Sequence, residues 1–148
     1  MLDGGIVQGQ NVYNIGLHGF FNAPSLIKAA NHYGVNRITL KQFREQGAKA
    51  IIQKVMTELV SKVDIVYVTV DMDVLDIAYA PGVPASTPGG MRSDELFDVL
   101  SEIGKYDVVK GMDFVCLDPR RDTVEQQTVK VGVYAFLRWV VSKYMQSR

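Results

Sequence analysis

Cysteine is almost missing from this sequence: Cys116 stands alone among 148 residues. A disulfide framework needs at least two, so a stapled secreted module is excluded and a reducing cytoplasm is the expected setting. Neither charge is in surplus, since 16 basic side chains balance 16 acidic ones, which argues against a basic nucleic-acid binder and against an acidic disordered tail. No apolar run approaches the ~20 residues that span a bilayer, and the opening Met1-Leu-Asp-Gly-Gly5 lacks the basic start and apolar core of a signal peptide. Low-complexity stretches and solenoid repeats are absent too. The pairs Gly4-Gly5 and Gly89-Gly90 lack the spacing of a dinucleotide or phosphate cradle and read as turn glycines. What remains is an apolar content of 47% in a chain long enough for one domain over residues 1–148, burying roughly two thirds of its unfolded surface.

Periodicity divides that domain into four strand-helix units. Residues 11–17 form a short apolar run, after which Pro24 opens a helix that Gly34 closes. Residues 36–40 read as a second strand, and Ile51, Ile52, Val55, Met56, Leu59 and Val60 recur at helical spacing. Residues 64–70 have apolar side chains on both faces, as in a central strand covered on each side. The stretch Ala80 to Gly90 is irregular, and Ser93 is expected to cap a helix carrying Leu96, Phe97, Leu100 and Ile103. Within residues 107–117, Met112 to Leu117 is the better strand. Thr123 and Gln126 then have capping-box spacing before a long last helix. Its Val133, Phe136, Leu137, Val140, Val141 and Tyr144 mark a stripe expected to be buried, with Lys130, Arg138 and Lys143 left for solvent. Four such units predict an α/β fold with one parallel sheet and helices on both faces.

In such a sheet a ligand binds outside the carboxyl ends of the strands. Asp71 and Asp73 lie there, two residues apart at the end of an apolar strand, so the pleat predicts both carboxylates on one side. Like charges so placed need a counter-ion, which a divalent metal or a neighbouring Lys or Arg can supply. The same Asp-x-Asp also resembles the first motif of the haloacid-dehalogenase phosphatases, although Leu75 stands where that family has Thr or Val. Elsewhere the alternatives are plainer. His32 falls within a helix. Arg120-Arg121 either meets an anionic substrate or forms a solvated turn, and Tyr134, Phe136, Trp139 and Tyr144 are packing residues, so no nucleic-acid role follows.

The whole run from Thr69 to Gly90 contains Asp71-x-Asp73-x-x-Asp76, then Ala80-Pro-Gly82 and Pro88-Gly-Gly90. It resembles the signature of the ureohydrolases, the family of arginases, agmatinases and formimidoylglutamases. Asn11-Val-Tyr-Asn-Ile-Gly-Leu-His-Gly-Phe20 and Gly111-Met-Asp-Phe-Val-Cys-Leu-Asp-Pro119 resemble further strands of that family, so the likeness covers essentially the whole chain.

The resemblance implies the C-terminal part of a three-layer fold of the arginase type and a centre of two manganese ions sharing a hydroxide that attacks a guanidinium or amidine carbon. Asp71 would bridge the ions, Asp73 would ligate one, and Asp76 would serve the surrounding loop. The family completes its centre with Gly-Gly-Asp-His and Asp-Ala-His-x-Asp motifs that lie further toward its N-terminus and do not occur here. This chain alone is therefore expected to be inactive and to bind metal weakly at most. His18 and Cys116 are the substrate-proximal candidates, Cys116 standing where many members place a Glu; otherwise it reads as a small hydrophobe buried on a strand. Gly82-Val-Pro-Ala-Ser86 is most similar to formimidoylglutamases, which implies N-formimidoyl-L-glutamate ahead of agmatine as the whole enzyme's substrate. A non-catalytic interaction fragment is the reading of a different class. Apolar faces left without the other half predict a homo-oligomer.

Overall fold

Strands and helices alternate along the chain as the periodicity requires, in a computed structural model that describes residues 1–146. The order is β1 (Tyr13–Leu17), α1 (Pro24–Tyr33), β2 (Asn36–Thr39), α2 (Leu40–Gln46), α3 (Ala48–Val60), β3 (Val66–Asp71), α4 (Ser93–Ile103), β4 (Val109–Val115) and α5 (Gln127–Gln146). Pro24 sits in the first turn of α1, and Gly34 ends it in the left-handed conformation with its N–H bonded to the last carbonyls. The short helix α2 was not foreseen. Thr39 and Gln42 form a capping box at its start, and Gly47, at φ 83°, separates it from α3.

The four strands do not make one sheet. β1 pairs in parallel with β2, Ile15 opposite Ile38, and β3 pairs in parallel with β4, Val68 opposite Met112 and Asp71 opposite Val115. The continuous three-layer sheet expected from the sequence is thus two ribbons, each closed by its own crossover. One face of β1 is packed closely: a Cβ at Gly16 would lie 2.6 Å from Val74 Cγ2 and 3.3 Å from Met91 Cε. Nor is β3 covered on both faces, because Tyr67 remains 63% exposed. β4 starts earlier than the expected Met112 and takes in Lys110 and Gly111; Gly111 leaves room for the Tyr67 ring, 3.2 Å from where a Cβ would be.

The core lies between the ribbons and the middle helices. Ile51, Ile52, Val55, Met56 and Leu59 of α3 meet Leu96, Val99, Leu100 and Ile103 of α4, together with Leu40 and Phe43 of α2. Each such side chain contributes ~1.5–3 kcal/mol when removed from water. Ser93 is not the cap of α4. Arg92 precedes the helix, and its backbone N–H donates to the Glu95 carboxylate at 2.8 Å.

The last helix departs most from expectation. Its stripe of Val133, Phe136, Leu137, Val140, Val141 and Tyr144 is exposed, and the face turned to the protein carries Thr128, Gly132, Ala135 and Trp139. That face packs closely: a Cβ on Gly104, just after α4, would be 2.7 Å from both Ser142 Cβ and the Trp139 carbonyl, and a Cβ on Gly132 would touch Met72 and Leu117. Lys143 is not left to solvent, since its Nζ donates to the Val109 carbonyl at 3.0 Å. The expected Thr123–Gln126 box does not form, but the Thr123 hydroxyl accepts from Gln127 N at 3.1 Å, and the Asp122 carboxylate accepts from the N–H groups of Thr128 and Val129 at 3.0 Å each. Burial alone would raise the Asp122 pKa, but these bonds and the Thr128 hydroxyl hold it below the usual range.

Candidate functional site

β3 brings Asp71 to the carboxyl end of its ribbon, where the chain leaves the pleat for a single 3-10 turn over Met72–Val74. Met72 and Leu75 are fully buried on either side of Asp73 and hold that turn to the core. The Asp71 carboxylate accepts the Asp73 backbone N–H at 3.2 Å. Both carboxylates therefore meet, as the sequence predicts, but through a turn in which one side chain holds the other's backbone, not through strand alternation.

The electrostatics reflect that proximity. Burial, the adjacent Asp71 charge and a hydrogen bond to Asp71 push the Asp73 pKa upward, and His18 acts in the opposite direction. His18 follows β1, and its Nδ1 lies 3.0 Å from the Gly16 carbonyl oxygen. It thus borders the pair and lines an open cleft of about 530 Å³ with Thr39, Lys41, Arg44 and Gly89.

Asp76 faces the loop. Its carboxylate accepts from Ala78 N at 2.8 Å and Gly89 N at 2.6 Å, and these bonds, with a further one from Gly90, lower its pKa. Gly90 has no room for a side chain, because a Cβ would lie 2.4 Å from the Asp76 nitrogen. Asp76 and Gly90 together fold the Pro- and Gly-rich segment back onto the end of β3.

Cys116 is not buried on a strand. It is exposed, one residue beyond β4, at φ 64°, a conformation that costs a non-glycine residue ~1–3 kcal/mol. That backbone turn delivers its thiol to Asp71. The hydrogen bond to Asp71, then burial, then the charges of Asp71 and Asp73 push the thiol pKa up to about 11, so it is a proton donor and not a thiolate near neutral pH.

Two supports were not read from the sequence. Arg44 reaches from α2 to the Glu95 carboxylate at 3.0 and 3.1 Å and to the Gly90 carbonyl at 2.9 Å, tying the loop to α4. Nothing in sequence spacing joins Arg44 to Glu95. The Thr128 hydroxyl, fully buried, accepts from Gly82 N at 2.8 Å and fixes the other end of the loop. Arg120 and Arg121 form ion pairs with Asp118 in a 3-10 turn, and His32 is exposed on α1.

Residues 1–141 match the arginase family. The chain belongs to that family. It is 36% identical to the formimidoylglutamase of Halalkalibacterium halodurans over 99% of its own length and 46% of that protein. With the formimidoylglutamase of Bacillus subtilis it shares 35% identity over 82% of its length and 38% of that protein. The crystal structure of formimidoylglutamase from Bacillus subtilis superposes with a TM-score of 0.90 at 32% identity, over 98% of this chain and 45% of that one. Arginase from Bacillus caldovelox shares the fold, with a TM-score of 0.82 at 21% identity. This arginase-family chain spans about half the length of the relatives it matches.

The family's metal centre can be tested against the donors present. Among the described residues, no group of three or more His, Cys, Asp or Glu side chains is arranged to hold a metal ion. Two carboxylates, a thiol that hydrogen-bonds to one of them, and an imidazole whose Nδ1 is engaged by Gly16 do not fit a complete two-ion centre. No described helix is long and apolar enough to cross a membrane.

Proposed function

We propose that this chain by itself is a non-catalytic portion of an arginase-family hydrolase, carrying one wall of the active site without a complete metal centre. The observation that carries the reading is the Asp71–Asp73 pair at the end of β3, brought together by the turn and joined by no third ligand among the described residues. In the assembled enzyme Asp71 and Asp73 would ligate manganese, and Asp76 would hold the loop that shapes the site. His18 and the Cys116 thiol border the substrate. A neutral thiol where many members place a Glu removes a counter-charge and weakens recognition of any cation, guanidinium or amidinium. The Gly82-Val-Pro-Ala-Ser86 segment and the two formimidoylglutamase relatives support N-formimidoyl-L-glutamate as the whole enzyme's substrate, hydrolysed to L-glutamate and formamide.

Assays with manganese and N-formimidoyl-L-glutamate, agmatine or arginine test both levels. The chain alone is expected to release neither formamide nor urea. Exchanged for the equivalent part of a full-length formimidoylglutamase, it is expected to give a chimera that releases formamide and loses that activity on Asp71→Asn. Formamide release by the chain alone, or urea release by the chimera, contradicts the reading.

A further inference from the structure

Arg44 belongs to none of the sequence motifs, yet its bonds converge where the loop before α4 meets the chain leaving β3. Residues 87–91 run beside residues 74–77. Leu75 pairs with Met91 and Asp76 with Thr87; Met91 N donates to the Val74 carbonyl at 2.8 Å, Asp76 N to the Met91 carbonyl at 2.9 Å and Ile77 N to the Thr87 carbonyl at 3.2 Å. With the bond from Gly89 N to the Asp76 carboxylate, these make loop and turn one unit, so whatever fixes residues 87–91 fixes Val74 and, next to it, Asp73. The Gly90 carbonyl takes no part in that ladder and accepts from Arg44 Nη2 at 2.9 Å.

Arg44 is itself held from the other side. Its Nε and Nη2 donate to the two Glu95 oxygens at 3.0 and 3.1 Å, a two-point contact that fixes the guanidinium plane. Glu95, whose side chain is 10% exposed, also accepts the Arg92 backbone N–H at 2.8 Å. The capping box of Thr39 and Gln42 and the buried Leu40 and Phe43 seat α2. Nη2 carries two N–H groups, one for Glu95 and one for Gly90, so anchor and loop meet in a single planar group. His18 and Gly89 line the same cleft as Arg44, which puts the held carbonyl beside the candidate site.

We propose that Arg44 is a positioning residue: anchored on Glu95, it holds the Gly90 carbonyl and, through residues 87–91, sets the turn that carries Asp73. Its consequence for turnover rests on the hydrolase reading above; its consequence for the loop does not. Amide hydrogen exchange on the whole chain tests the loop directly. Because Arg44→Ala alone strands a largely buried carboxylate, it is made together with Glu95→Gln and compared with Glu95→Gln alone, which keeps an acceptor for Arg44. Removing Arg44 is expected to speed exchange at Asp76, Gly89 and Met91 by about 10-fold or more, the factor that loss of a charge-assisted hydrogen bond allows, and to leave Val55 and Met56 of α3 within about twofold. Equal acceleration in the loop and in α3 would mark a residue that only stabilises the fold and overturns the proposal, as does an unchanged loop. In the chimera with a full-length formimidoylglutamase, the same comparison is expected to lower kcat for formamide release by about 10-fold or more; an unchanged kcat overturns the proposal. A chimera that releases no formamide before Arg44 is changed contradicts the hydrolase reading instead, and the exchange result then decides the role of Arg44 by itself.

Discussion

Helices α4 and α5 pack against each other and both carry an apolar stripe at helical spacing, yet only one of the stripes is buried. Leu96, Val99, Leu100 and Ile103 of α4 close the core, whereas Val133, Leu137, Val140 and Val141 of α5 face outward and α5 docks through Thr128, Gly132, Ala135 and Trp139. Amphipathic spacing shows that a face favours burial; it does not show that the same chain supplies the cover. In α5 the inward face is held in close contact at Gly104, beside Ser142 and the Trp139 carbonyl, and Val133, Leu137, Val140 and Val141 remain exposed.

The comparison is tested most strongly at its buried end. Leu100, 1% exposed, should cost ~2–5 kcal/mol on Leu100→Ala through lost transfer energy and a cavity, read as a shift of the urea midpoint at constant slope. The next effect concerns the contact between the two helices. Gly104→Ala inserts a methyl group 2.7 Å from Ser142 and Trp139 and is expected to destabilise by ~1–3 kcal/mol through overpacking. Were it neutral, the close contact of Gly104 with Ser142 and Trp139 would not be what seats α5.

A third effect lies at the start of α5. Asp122→Ala removes the carboxylate that accepts from Thr128 and Val129 and should cost ~0.5–2 kcal/mol, as for other helix N-caps. Its sign with pH is fixed. The folded pKa of Asp122 lies below its unfolded value, so the stabilisation is present above the unfolded pKa and is lost as pH falls through the folded one. The variant should therefore differ from wild type at neutral pH and converge with it in acid. The smallest effect is on the outer stripe: Leu137→Ala, at an exposed position, should change thermal stability by less than ~0.5 kcal/mol.

Much of this architecture is legible in the sequence. Pro24 and Gly34 mark the ends of α1, the spacing of Ile51 to Leu59 gives α3, and the apolar run before Asp71 gives β3, because each rests on local propensity and spacing. The split of the sheet is not legible, since which strands pair depends on how distant segments are placed and not on local spacing. The candidate site divides in the same way. That Asp71 and Asp73 meet follows from their positions, but the reason is a turn held by the Asp71 side chain, which strand periodicity does not encode. The exposure of Cys116 depends on its left-handed backbone, and the brace from Arg44 to Glu95 and Gly90 depends on how α2 and α4 are placed.

The central claim is that the Asp71–Asp73 pair is part of a metal centre whose remaining donors this chain does not hold. Calorimetric titration of manganese into the whole chain tests it most directly. The account predicts no saturable uptake of two ions at micromolar or tighter affinity, and an Asp71→Asn, Asp73→Asn variant that behaves no differently in that range. Stoichiometric uptake of two ions, abolished by those substitutions, would contradict it.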